Sequence, residues 1–247
     1  MPNGQLSYPR ARLAVSSGRS SSVAPAPQVN TALSSHVDES PALWRITVVV
    51  PTYREVENIP LLVERLHEQR EALGGRLDVL FMDDDSRDGS AELVEQLGLP
   101  WVKLVTRTAD RGLSQAVLDG LRRATGDVLV VMDADLSHPP EALPAMLDKL
   151  REGAQFVVGS RFVKGGTTDD EWGIFRWLNS RVATLLAFPL THIKDPMSGF
   201  FMLRRSTFEA HSNYNPIGYK IGLELLVKCD CKIVEEVPIH FTDRQRG

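Results

Sequence analysis

Two carboxylates, Asp133 and Asp135, stand one residue apart where the apolar run 128–132 stops. An unbroken apolar run bounded by polar residues reads as a strand buried on both faces of a parallel sheet, and open α/β sheets bind ligands at the carboxyl ends of such strands. A solvated turn needs no pair of acids there. Two carboxylates so close repel each other and any anionic substrate, unless a divalent cation sits between them and a diphosphate. The chemistry they fit is metal-dependent work on a nucleotide-type substrate.

The elements that must position them follow the same rule of strand, then acids. A strand over 46–50 ends in Pro51-Thr52-Tyr53-Arg54-Glu55, and a strand over 77–82 runs into Asp83-Asp84-Asp85-Ser86-Arg87-Asp88. Between them, Asn58 is placed to cap a helix with Pro60 in its first turn, stopped by Gly74-Gly75. Helices are expected over 90–97 and 113–124, a strand over 102–105, and a helix over 140–152 after the Asp-Ala-Asp strand. Beyond it the pattern predicts strands over 156–159, 198–203 and 233–238, a short helix near Ser206 and a helix over 221–228. This alternation implies an α/β fold, a mainly parallel central sheet with helices on both faces.

With 247 residues, 43% of them hydrophobic, the chain can bury a full core. A net charge of −4 argues against a dedicated nucleic-acid binder. Neither G-x-G-x-x-G after the first strand nor G-x-x-x-x-G-K-[ST] occurs, so dinucleotide and P-loop readings lose their main support. No apolar run reaches the roughly 18 to 20 residues that span a bilayer. Cys229 and Cys231 are too close to form a disulfide easily and cannot complete a metal site alone; they read as reduced thiols in a cytosolic setting. Residues 1–40, rich in Ser, Pro and Ala, read as a disordered arm ahead of a domain over 41–247. The segment 172–190, apolar all round about Arg176 and Arg181, fits either a core helix or one lying at a lipid interface.

Seven ordered blocks, PTYREVENIP, DDDSRDGS, RGLSQAVLDGLRRATGD, MDADLSHPP, VVGSRF, DPMSGFFMLRR and EEVPIHFTDRQRG, resemble family 2 glycosyltransferases, specifically dolichol-phosphate mannose synthases and their polyprenyl-phosphate relatives. The resemblance covers about residues 45–247. It implies a GT-A fold, Rossmann-like, with a nucleotide-sugar half over about 45–137 and an acceptor half over about 138–247. Pro51, Tyr53, Glu55, Asp83 and Asp84 would cradle the nucleoside, although one of the acids at 83–85 can serve only the turn, and Asp88 is expected to cap the next helix. Asp133, Ala134 and Asp135 would meet the diphosphate and its Mg²⁺ or Mn²⁺. Arg161 and Arg244 match phosphate-binding arginines, a role suited to a forked cation that never deprotonates, and Arg161 is expected to contribute little packing. Arg176 and Ser180 would meet the phosphate of the lipid acceptor.

A monophosphate acceptor is already anionic at neutral pH and needs no general base, in keeping with His138 and His192 having no orienting partner visible in sequence. The expected reaction is inverting transfer of mannose from GDP-mannose to dolichyl or polyprenyl phosphate by a protein peripheral to the cytosolic membrane face, with segment 172–190 docked on that interface. A UDP-sugar donor is the alternative. A phosphatase using Asp133 as nucleophile would carry its Asp-x-Asp on the first strand, not the fourth. In the family the last block continues through an acid, Ser and Lys, whereas this chain ends at Gly247; a non-catalytic nucleotide-sugar-binding protein is therefore the third expectation.

Overall fold

The structure, a computed structural model, describes residues 40–169, 192–214 and 220–242. The arm over 1–39, the segment 172–190 with Arg176, Ser180 and Arg181, and Arg244 lie outside the described residues.

A seven-stranded sheet orders the protein as β3-β2-β1-β4-β7-β5-β8. Its strands are β1 (Ile46–Thr52), β2 (Leu77–Asp83), β3 (Val102–Thr106), β4 (Val128–Val131), β5 (Phe156–Ser160), β7 (Phe201–Arg204) and β8 (Val234–Pro238). A second sheet pairs the short β6 (Thr167–Thr168) with β9 (His240–Phe241). The helices are α1 (Ile59–Ala72), α2 (Ser90–Leu97), α3 (Leu113–Arg123), α4 (Leu143–Arg151), α5 (Arg205–Glu209) and α6 (Ile221–Lys228).

β1 and β4 are buried along their whole lengths, because helices cover both faces. Ile46, Val48, Val50 and Val130 pack on one side with Leu62 and Leu66 of α1 and Leu147 and Leu150 of α4. Val49, Leu129 and Val131 pack on the other with Leu118 and Leu121 of α3 and Leu225 of α6. The α3 contact depends on a glycine: a Cβ on Gly120 would lie 2.3 Å from Val49 Cγ1 and 2.9 Å from Met82 Cγ, so only a bare backbone seats this helix so close to the sheet.

The sheet is mainly parallel, as expected, with β7 alone of the seven strands running antiparallel to its neighbours β4 and β5. Two expectations change. Asn58 stands at the start of α1, yet its side chain makes no cap, because its backbone is already helical (φ −87°, ψ −29°) where a capping residue is extended; its Nδ2 donates to Glu55 Oε2 at 2.6 Å. The helix expected from 140 begins as a 3₁₀ turn at Pro140–Ala142, and α4 proper starts at Leu143.

Candidate active site

From β1 the chain steps outward to β2 and β3, then returns to place β4 on the opposite side of β1. The carboxyl ends of β1 and β4 therefore diverge into connections on opposite sides, and such a switch point opens a crevice. A cleft of about 380 Å³ lies there, lined by Pro51 and Thr52 at the end of β1, Tyr53 and Glu55 after it, Asp84 after β2, Leu113 and Ala116 of α3, and Asp133, Ala134 and Asp135 after β4. Of the residues singled out from the sequence, it brings together Pro51, Tyr53, Glu55, Asp84, Asp133, Ala134 and Asp135.

The loops around it hold one another. Asp84 is buried, accepts the Gly112 N–H at 2.7 Å and pairs with Arg107, whose guanidinium also reaches Asp119 at 3.0 Å. One carboxylate thus fixes the start of α3, and a buried arginine holds the carboxylate. Asp83 faces the turn, accepting the Ser86 N–H at 3.0 Å and the Ser86 hydroxyl; it is the acid of that cluster that serves turn chemistry and does not line the cleft. Asp88 accepts the Ser90 N–H at 3.0 Å at the start of α2 and the Val56 N–H at 3.2 Å. Its partial burial works to raise the carboxyl's pKa, but the Ser90 and Val56 donors outweigh burial and hold it below the ordinary 3.8. Tyr53 stands half exposed, with Arg54 and Arg111 at 5.2 and 5.5 Å from its ring.

Backbone strain gathers here too. Arg54, Asp85, Arg87, Asp110 and Leu136 all have positive φ, Leu136 at +66° directly after Asp135. An apolar side chain in that region is rare and persists where its surroundings over-determine it, commonly at binding sites.

Asp133 and Asp135 supply hard oxygen donors on one cleft wall. Among the described residues no group of three His, Cys, Asp or Glu side chains is placed to hold a metal ion. A pair of carboxylates still fits Mg²⁺ or Mn²⁺, small cations commonly held by one or two carboxylates with substrate phosphates and water completing the shell. Thr52 of the cleft lining and Ser137, two residues after Asp135, each bury a hydroxyl oxygen that finds no hydrogen-bond partner.

Arg161 lies apart from the cleft lining. Its Nε and Nη2 donate to Asp195 Oδ2 and Oδ1 at 2.8 and 2.7 Å, its backbone N–H donates to the same carboxylate at 3.0 Å, and its guanidinium lies 5.2 Å from the rings of both Phe162 and Phe241. The expectation of little packing is corrected: this arginine is partly buried, paired and set over two aromatic rings. Sequence reasoning also missed Arg107, whose partner Asp84 is 23 positions away, the cleft residue Leu113, and the role of His138 beside Asp133. The block D-A-D-L-S-H offered a signal for His138 only through its nearness to Asp133.

The chain matches the family model "Glycosyl transferase family 2" over residues 47–212. It belongs to glycosyl transferase family 2. Among the relatives of this glycosyltransferase, the dolichol-phosphate mannosyltransferase of Pyrococcus furiosus is 41% identical over 208 residues, covering 82% of this chain and 58% of that protein. The dolichol-phosphate mannosyltransferase of Saccharomyces cerevisiae is 40% identical, covering 81% and 79% of the two chains. The polyprenol monophosphomannose synthase of Mycolicibacterium smegmatis is 38% identical, covering 85% and 83%. The glucosyl-3-phosphoglycerate synthase of Mycobacterium tuberculosis, solved with Mn²⁺, UDP and glucosyl-3-phosphoglycerate, superposes with a TM-score of 0.64 at 20% identity, covering 84% of this chain and 74% of that one. That likeness establishes the fold, the expected GT-A arrangement.

Proposed function

We propose that this family 2 glycosyltransferase moves mannose from GDP-mannose to dolichyl or polyprenyl phosphate, with inversion, while bound peripherally at the cytosolic membrane face. The observation that carries the reading is the cleft at the switch point, where Asp133 and Asp135 share a wall with Pro51, Tyr53, Glu55 and Asp84. The names of the curated relatives support the mannosyl donor and polyprenyl acceptor. Among the described residues no helix is long and apolar enough to cross a membrane; the reading assigns lipid contact to segment 172–190 on its sequence, apolar about Arg176 and Arg181. Residues 45–137 would form the nucleotide-sugar half and 138–247 the acceptor half, preceded by the arm over 1–40.

In this mechanism an oxygen of the acceptor monophosphate attacks the anomeric carbon as the bond from that carbon to the nucleoside diphosphate oxygen breaks. One C–O bond forms on the face opposite the one that breaks, which inverts the centre. The nucleophile arrives already ionised, so no residue must take its proton. Tyr53, Glu55 and Asp84 hold or shape the nucleoside pocket, Asp84 by fixing the start of α3, while a nucleoside role for Asp83 rests on the family pattern alone. Asp133 and Asp135 would hold Mg²⁺ or Mn²⁺, which when bound offsets the charge growing on the leaving diphosphate. Arg244, Arg176 and Ser180 are assigned to phosphates on the family pattern. The phosphate role of Arg161 rests on that pattern alone, since its guanidinium is engaged by Asp195.

A panel of GDP- and UDP-sugars offered with polyprenyl phosphate, read as labelled glycolipid, tests the reading. Mannolipid from GDP-mannose alone is the expected result. Product from a UDP-sugar overturns the donor, and donor binding without transfer leaves a nucleotide-sugar-binding protein. Calorimetry with GDP and Mn²⁺ tests the metal assignment: Asp135→Asn should abolish metal-dependent binding, because a neutral amide ligates a hard cation poorly, and unchanged affinity refutes it.

A further inference from the structure

His138 has a part in this site that neither the sequence motif nor the cleft lining assigns. It follows the Asp-Ala-Asp turn, is 2% exposed, and does not line the cleft. Its Nδ1 accepts the backbone N–H of Asp133 at 3.0 Å and lies 3.6 Å from Asp133 Oδ2. The Nδ1 lone pair is thus turned to the Asp133 N–H, and the ring lies beside the carboxylate of the same residue.

The ring itself is fixed from two sides. It stacks on Phe200 at 5.3 Å and meets the edge of Phe241 at 5.6 Å. Gly199 lies against this arrangement, where a Cβ would make ordinary contacts of 3.4 Å to His138 Cε1 and 3.6 Å to Asp133 Oδ2. The Thr242 N–H donates to Ser137 O at 3.3 Å, tying the same turn to the end of β9.

We infer that His138 is a positioning residue: through the Asp133 N–H hydrogen bond it sets the direction in which the Asp133 carboxylate meets a divalent cation and the nucleoside diphosphate. This rests on the proposed assignment of Asp133 to the metal. The side chain acts as a wedge held between the start of β7 and β9, and carries their position to the carboxylate.

Two substitutions separate the hydrogen bond from the packing. His138→Asn keeps an acceptor near the place of Nδ1 and loses the ring; His138→Phe keeps the ring and loses the acceptor. Both should lower the melting temperature, one through packing and the other through an unpaired amide, so stability alone does not rank them. Mn²⁺-dependent GDP affinity by calorimetry should fall about tenfold in His138→Phe and stay within about threefold of wild type in His138→Asn, the scale of one hydrogen bond. Equal losses in the two variants, or an unaffected His138→Phe, overturn the inference.

A second measurement needs no ligand. Hydrogen exchange of the Asp133 amide in the metal-free protein should accelerate in His138→Phe and keep its protection in His138→Asn. Equal protection in both overturns the positioning role whatever the binding data give. Failure of the wild type to bind GDP with Mn²⁺, alongside the expected exchange pattern, overturns instead the metal assignment and with it the link from His138 to the cation.

Discussion

Replacing Arg161 by alanine should cost this protein a large share of its stability. Asp195 is 1% exposed and the Arg161 side chain 11%, so the substitution leaves a buried carboxylate without its charged partner. Breaking such a pair from one side costs about 3–5 kcal/mol. The guanidinium's contacts with Phe162 and Phe241 add about 0.5–2 kcal/mol. Taking roughly 4 kcal/mol for the whole, and about 2–4 °C per kcal/mol for a domain of this size, the melting temperature should drop by about 8–16 °C. Circular dichroism melts of the wild type, Arg161→Ala and Arg161→Met/Asp195→Leu measure it. The double variant should recover most of the loss, because removing both charges also removes the burial penalty. Arg45→Ala is the control: its pair with Asp78 spans 2.9 Å, but the arginine is 62% exposed, and such pairs contribute under about 1 kcal/mol. An Arg161→Ala protein melting within about 2 °C of wild type, or a double variant no better than the single, refutes the reasoning.

Gly120→Ala should destabilise by about 1–3 kcal/mol through overpacking against Val49 and Met82, although alanine is ordinarily the better helix former; urea unfolding with a midpoint above that of wild type would show that α3 does not sit where described. Asp88→Ala should cost about 1 kcal/mol at neutral pH, the worth of a helix-start acceptor. Since the folded pKa of Asp88 is depressed by its Ser90 and Val56 donors, the carboxylate's contribution is present above about pH 4 and fades as pH falls through the folded value. Melts at pH 7 and near pH 3 should therefore show the gap between variant and wild type closing in acid, and a constant gap would sink the assignment.

The residues legible in the sequence are those whose role depends on local order. Pro51 ends a buried strand, and Tyr53, Glu55, Asp84, Asp133 and Asp135 lie within a few residues after one; an apolar run ending in acids announces both the strand and its carboxyl end. The illegible ones act across the fold. Arg161 meets Asp195 34 positions away, and Arg107 meets Asp84 23 positions away; nothing in composition or spacing marks either pair. His138 showed no orienting partner because its partners are a backbone N–H and two phenylalanines brought in by β7 and β9. The direction of β7 was hidden for a similar reason: an apolar run declares a strand, but its sense follows from where the preceding connection leaves the chain.

That reversed strand also sets a timetable. β4 leads into the two carboxylates and has β1 on one side from early in synthesis, yet its other neighbour is residues 201–204. Until those residues leave the ribosome, β4 is a bare sheet edge, and the rings of Phe200 and Phe241 that wedge His138 do not yet exist. Pairings so distant in the chain are closed late, because the entropy of the long loop must be overcome before the contacts form. A nascent chain halted before β7 would display all the acids of the cleft on an unfinished sheet, open to pairing with another strand, so β7 also acts as the cover under which the carboxylates are first assembled.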